Sequence, residues 1–263
     1  MVRSVTAMRY VTPLREGGSL PGIVEADDDG LYVVKFRGAG HGPRALVAEY
    51  VAGEIARHLG LRVPELVEVL LDPALGRAEP DYEIRQLVLG SEGSNVGLDY
   101  LPGSLTYDPA SDPLPDPELA ADIVWLDSFV TNIDRGPQNP NLLMWHGDLW
   151  LIDHGATLYV HANWYEPEAA ARQPFEMIAQ HVLLPAAGSI VDADARNAPR
   201  IDRALLEHIL ASVPDSWFEQ DALGREAAEV RGAYVTWLLL RLDAREQWVP
   251  VAEAARVALE AGA

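Results

Sequence analysis

The chain has 263 residues, 49% of them hydrophobic, which is enough for a sizeable core. It carries 40 Asp and Glu against 20 Lys and Arg, a formal net charge of −20. That balance argues against nucleic acid or an anionic membrane as the main partner, since both are recognised by basic surface. With no cysteine, disulfides and thiolate metal sites are excluded. No apolar run approaches the length of a bilayer crossing, so a cytoplasmic protein without membrane insertion is expected.

In chain order, residues 1–89 read as a small β-rich lobe with one helix. The stretch Arg15-Glu-Gly-Gly-Ser-Leu-Pro-Gly-Ile23 is a glycine-rich loop between extended segments, and backbone N–H groups freed by such a loop can approach phosphate. Gly17, Gly18 and Ser19 are the candidates for that contact. An acidic turn at Asp27-Asp-Asp-Gly30 leads into Leu31-Tyr-Val-Val-Lys-Phe36, a strand whose alternation puts Lys35 on one face with Leu31 and Val33. Lys35 is the single lysine among 19 arginines. An ammonium on an apolar face calls for an anionic partner, and it offers phosphate a compact charge where arginine offers a wide fork. A helix is expected over 44–59, ended by Gly60, with Val47, Val51, Ile55 and Leu59 as its buried stripe. Glu49 and Glu54 lie off that stripe, and either could reach in to hold Lys35. Two further strands are expected over 61–71 and 81–89.

The composition changes at Gly90-Ser-Glu-Gly-Ser94, read as a hinge, so that 90–263 forms a second, larger and mostly helical lobe. Residues 107–117 are expected to form a surface loop, 118–130 a helix, and 160–175 an irregular, substrate-facing segment. Helices follow over 201–213, 224–248 and 251–259. Between them lies the polar centre of the sequence. Asp134-Arg-Gly-Pro-Gln-Asn-Pro-Asn141 must be a loop, and Asn141-Leu-Leu-Met-Trp145 and Leu149-Trp-Leu-Ile152 flank His146-Gly-Asp148 as a hairpin. That arrangement brings Asp134, Asn139 or Asn141, and Asp153 to one end of one hairpin. All are oxygen donors suited to a hard cation such as Mg²⁺, and phosphoryl transfer needs both that cation and a carboxylate to take a hydroxyl proton.

With Lys35, Glu49, Asp134, an Asn and Asp153 in this order, the chain resembles the protein-kinase-like superfamily and, within it, the HipA-like kinases. Asn132-Ile-Asp-Arg-Gly136 is also similar to the phosphatidylinositol kinases. The resemblance implies an α+β bilobal kinase fold that binds ATP and Mg²⁺ and phosphorylates a hydroxyl of a protein, foremost Ser or Thr, or of a small molecule. It implies that Lys35 binds the α- and β-phosphates and that Glu49 holds Lys35. Asp134 would be the catalytic base, and Asp153, in Asp-His-Gly where kinases have Asp-Phe-Gly, would chelate the metal. Kinase spacing points to Asn139 as the second metal ligand, whereas strand register favours Asn141. A pseudokinase acting as a nucleotide-binding module with a regulatory protein partner is the alternative reading, and a lipid or small-molecule kinase a further one.

Overall fold

The computed structural model describes residues 2–14, 20–40, 42–110, 112–219, 221 and 223–260, with the side chains of residues 78 and 260 left aside. The expected phosphate-contacting residues Gly17, Gly18 and Ser19 lie outside the described residues.

Strands β1 (Ser4–Pro13), β2 (Gly22–Ala26) and β3 (Leu31–Lys35) run antiparallel in sequence order, and helix α1 (Pro43–His58) then crosses to β4 (Leu66–Leu71). Helix α2 (Tyr82–Leu89) leads to β5 (Gly93–Asp99), which inserts between β3 and β4, and β4 closes on β1 in parallel. The result is a closed five-stranded barrel in the order β1-β2-β3-β5-β4. Its interior is filled by alternate side chains, among them Val24, Tyr32, Val34, Val67 and Val69. The opposite face of β3 carries Lys35, which meets Glu49 of α1, while α1 packs on β4 and β5. The helix lies close to the barrel: a Cβ on Gly53 would stand 2.6 Å from Leu66 Cδ1, so glycine is what permits that approach.

Two expectations fail here. Residues 81–89 were expected to form a strand and form α2 instead. Asp81 caps it, accepting from the N–H groups of Glu83 and Ile84, and Ile84 and Val88, four residues apart, are the pair it buries against the barrel. The glycines and serines at 90–94, read as a hinge, run into β5, a strand that pairs along its whole length with β4. The barrel therefore continues to Asp99, past the boundary expected at 89/90.

The remainder is mostly helical. A three-stranded sheet of β6 (Leu105–Thr106), β7 (Leu142–Trp145) and β8 (Asp148–Leu151) sits beside α3 (Pro117–Phe129). Below them lie α4 (Pro167–Ala171), α5 (Ile190–Asn197), α6 (Arg203–Ser212), α7 (Ala227–Asp243) and α8 (Arg245–Glu260). Trp125 and Phe129 of α3 and Trp248 of α8 form an aromatic cluster with ring centroids 5.5 to 6.3 Å apart. The break between the last two helices falls at Ala244, and Pro250 lies inside α8, where the sequence reading had placed the break. The segment expected to face substrate over 160–175 is partly core, with Trp164 buried edge-on against Tyr234 at 5.0 Å.

One core cluster runs through α1, the outer faces of β4 and β5 and the C-terminal helices, so α1 is shared by both halves. The chain between α6 and α7 also joins them. Trp217, 1% exposed, donates its indole N–H to the Ser94 carbonyl of β5 at 3.2 Å and meets the Tyr50 ring of α1 edge-on. Among the described residues no helix is long and apolar enough to cross a membrane.

Candidate active site

Lys35 ends β3 beneath α1. Its ammonium lies 2.7 Å from Glu49 Oε2 on that helix and hydrogen-bonds Asp153 Oδ1 from the second half of the chain. Glu49, rather than Glu54, is the buried helix acid: it is 0% exposed, while Glu54 pairs with Arg57 at 3.3 Å on the helix surface. Burial works to lower the Lys35 pKa, but the two carboxylates outweigh it and the ammonium is held above its ordinary value of 10.5. Burial likewise pushes the Glu49 carboxyl up, and Lys35 together with the His154 ring brings it down to about 2. Both partners are therefore ionised at neutral pH. A fully desolvated charge is tolerated here because it is paired.

The hairpin supplies the rest. Its turn is His146-Gly147, with φ of 53° and 85°, the left-handed pair that a two-residue turn of matching twist requires and that glycine supplies without strain. Trp145 pairs with Asp148 and Leu142 with Leu151, and the Ile152 N–H donates to the Asn141 carbonyl at 3.1 Å. Asn141 and Asp153 thus leave adjacent strands at the same end. Both are left-handed, with φ of 49° and 56°, a conformation that an ordinary side chain adopts at some cost in strain and that concentrates at functional sites.

Asp134 lies beside them. The Asn139 amide donates to Asp134 Oδ2 at 2.9 Å, and the Asn141 amide to the Asp134 carbonyl at 2.6 Å and to Oδ2 at 3.3 Å. Both asparagines thus meet Asp134, the buried Asn141 twice and the exposed Asn139 once. With each amide nitrogen spent on Asp134, the amide oxygen, the harder donor, remains for a cation.

What holds this loop is a buried cluster that the sequence reading found only in part. Asp127, the buried one of the three acids on helix α3, accepts from Arg135 Nε at 2.5 Å, from His181 Nε2 at 2.9 Å and from the Asn132 amide at 3.0 Å. Arg135 Nη1 in turn hydrogen-bonds the Asn141 carbonyl and the Ile152 carbonyl, the latter at 3.3 Å. One guanidinium therefore braces both strand ends from which Asn141 and Asp153 project. A carboxylate within the apolar run Ile123-Val-Trp-Leu-Asp-Ser-Phe129 was the available signal for Asp127. His181, far along the chain, offered none.

Among the described residues no group of three or more His, Asp or Glu side chains is arranged to hold a metal. The donors present suit a cation held by one or two carboxylates and completed by phosphate oxygens, which is how Mg²⁺ is usually bound to a nucleotide. The Asp153 side chain, 33% exposed, is open to such a cation. The site unites Lys35, Glu49 and Asp153 directly, and Asp134, Asn139 and Asn141 with one another around the same hairpin end.

The comparisons with known proteins bear on the fold and the family. No curated protein sequence matches the chain. Among solved structures, the Helicobacter pylori proinflammatory kinase CtkA is similar with a TM-score of 0.55 at 16% identity, covering 98% of this chain and 99% of that one. A Golgi casein kinase with Mn/ADP bound is similar with a TM-score of 0.51 at 11% identity, covering 98% of this chain and 74% of the other. At such identities the likeness is one of fold, and the fold is that of kinases, a strand-rich N-terminal part and a mostly helical C-terminal part. The family model described as HipA-like kinase matches residues 8–251, nearly the whole chain, and so the protein belongs to the HipA-like kinase family.

Proposed function

We propose that the chain transfers the γ-phosphoryl group of ATP, with Mg²⁺, to the hydroxyl of a protein Ser or Thr. The observation that carries this reading is the Lys35 ammonium bound at once to Glu49 of α1 and Asp153 of the hairpin. That bridge between acids of two different elements supports a phosphate site at Lys35 with a metal ligand at Asp153 next to it. In a loaded site Lys35 turns from Asp153 to the α- and β-phosphates while Glu49 keeps its hold. Asp153 and Asn141, with Asn139 beside them, hold the metal. The metal, when bound, offsets the charge on the phosphates and on the oxygen that leaves with ADP.

Asp134 then accepts the proton of the acceptor hydroxyl as its oxygen forms the new P–O bond and the bond from the γ-phosphorus to the β,γ-bridging oxygen breaks. The bond made and the bond broken balance, ADP leaves with the bridging oxygen, and the proton resides on Asp134 until solvent removes it. Positioned proton transfer of this kind contributes about 10² to 10⁴-fold. The net charge of −20 makes the local cations necessary, because several phosphate charges must enter an otherwise repulsive field.

The test is ATP turnover by the purified chain with and without Mg²⁺, beginning with autophosphorylation from γ-labelled ATP. Asp134→Asn and Asp153→Ala should each abolish turnover while the thermal unfolding transition is retained. Full turnover by either variant removes the role given to that residue, and ATP binding without turnover by the parent chain would make it a nucleotide-binding module.

A further inference from the structure

Where other kinases carry a phenylalanine after the metal-binding aspartate, this chain has His154, and its ring is wholly buried against α1. Its backbone is tied down, since the His154 carbonyl accepts from Thr157 N at 3.1 Å and from Thr157 Oγ1 at 2.8 Å. The side chain is not: among the described residues neither ring nitrogen has a hydrogen-bond partner. Glu49 Oε1 is likewise buried without one among the described residues, and it lies 3.7 Å from His154 Nδ1. A ring nitrogen able to donate and a carboxylate oxygen able to accept thus face each other across a gap too long for a hydrogen bond. Buried polar atoms are seldom left so unless another arrangement satisfies them.

The Lys35 bridge accounts for the gap. Glu49 is drawn by its other oxygen toward an ammonium that is itself drawn to Asp153. Once phosphate and metal take Asp153 away from Lys35, the ammonium and the Glu49 carboxylate that still holds it are free to shift together, and a displacement of about 0.8 Å brings Oε1 within ordinary N–H···O distance of Nδ1.

We propose that His154 is a positioning residue for the nucleotide site: its Nδ1–H donates to Glu49 Oε1 when ATP and metal are bound, fixing the carboxylate that fixes Lys35. The inference rests on the phosphotransferase reading above. It joins the turn that carries Asp153 to helix α1 through one polar contact, so that the metal side of the site and the phosphate side are set together.

The experiment measures the Kd of ATP with Mg²⁺ by calorimetry on the full chain, with thermal unfolding as a folding control and kcat and KM alongside. His154→Phe should weaken ATP binding about ten- to a hundredfold, the range for losing a hydrogen bond to a charged group. His154→Asn, whose amide N–H sits near the place of Nδ1, should recover most of that loss. His154→Gln, whose amide sits near the place of Nε2, should not. Because the ring acts through Glu49, adding His154→Phe to Glu49→Gln should weaken binding no more than about twofold beyond Glu49→Gln alone.

Parental affinity in His154→Phe, equal affinity in the Asn and Gln variants, or multiplying losses in the double variant would each overturn the inference. If His154→Phe does not fold, the Asn and Gln pair decides. Lys35→Met separates this idea from its premise. Undiminished turnover in Lys35→Met removes the role of Lys35 and this inference with it, absent turnover in the parent chain sinks the phosphotransferase reading, and lost turnover in Lys35→Met with a flat His154 series sinks only the role of His154.

Discussion

At Lys35 the fold and the chemistry make the same demand. The ammonium is nearly enclosed, and Glu49 on α1 is enclosed completely, so removing one charge strands the other. Lys35→Met should destabilise the chain by about 3–5 kcal/mol, the range for breaking a buried ion pair. Adding Glu49→Leu should restore part of that stability without restoring turnover, which denaturant unfolding of the three proteins would show. The importance of Lys35 was legible in the sequence because it is the one lysine of the chain and lies in a strand. The choice of Glu49 over Glu54 rested on likeness to relatives, and in the fold it is Glu49 whose carboxylate meets Lys35 while Glu54 pairs with Arg57. His154 and Asp127 were harder to read. A buried polar ring or carboxylate shows its purpose only through its neighbours, which here come from α1 and from the distant His181.

Among the elements, the β7-β8 hairpin was legible in outline: the two apolar runs pair, but Asp148, expected in a His146-Gly-Asp148 turn, opens β8 opposite Trp145, and the turn is His146-Gly147. The observed register sets Asn141 and Asp153 at the same end of the hairpin. Helix α2 was not legible, because its apolar positions fit a short buried strand as well as a helix, and the deciding group is the Asp81 cap at its start. Asp81→Ala should cost about 1 kcal/mol of stability by equilibrium unfolding, with little change in ATP turnover. Strand β5 was missed because glycines and serines mark turns more often than strands. A Cβ on Gly97, in the middle of β5, would stand 2.5 Å from Val69 Cγ2, so the missing side chain there leaves room for the barrel core. Arg135 links element to site. Arg135→Leu would leave the buried Asp127 without its counter-ion, with His181 and Asn132 as its remaining partners, at a cost of about 3–5 kcal/mol. Arg135→Lys keeps the charge but cannot reach both strand-end carbonyls, and it should reduce kcat about a hundredfold if those ends shift by about 1 Å. Stopped-assay turnover measured beside a melting curve tests both variants.

Taken whole, the molecule should lose stability on mild acidification. His161, hydrogen-bonded to Tyr234 at 2.9 Å, is held neutral by burial, its pKa lowered from 6.5 to about 3. Burial lowers that of His181 as well, against the opposing pull of Asp127. Above pH 6.5 such a histidine is neutral folded or unfolded and contributes no slope. Below that pH the unfolded chain takes up a proton that the fold refuses, and stability falls by about 1.4 kcal/mol per pH unit for His161. The Glu49 carboxyl, depressed from 4.5 to about 2, has the opposite signature: its contribution is complete above pH 4.5 and disappears only as pH falls toward 2. Loss between pH 6.5 and 4.5 should therefore belong to the histidines, and urea unfolding at pH 7.5 and 5.5 should show a steeper decline in the parent than in His161→Asn.

The Trp217 indole has its backbone in the helical half and its N–H on a carbonyl of the barrel. Any parting of the two halves that admits a ligand must pull this fluorophore from a dry pocket toward water, shifting its emission to the red. The chain thus carries an intrinsic optical gauge of how far its cleft opens, readable without a label.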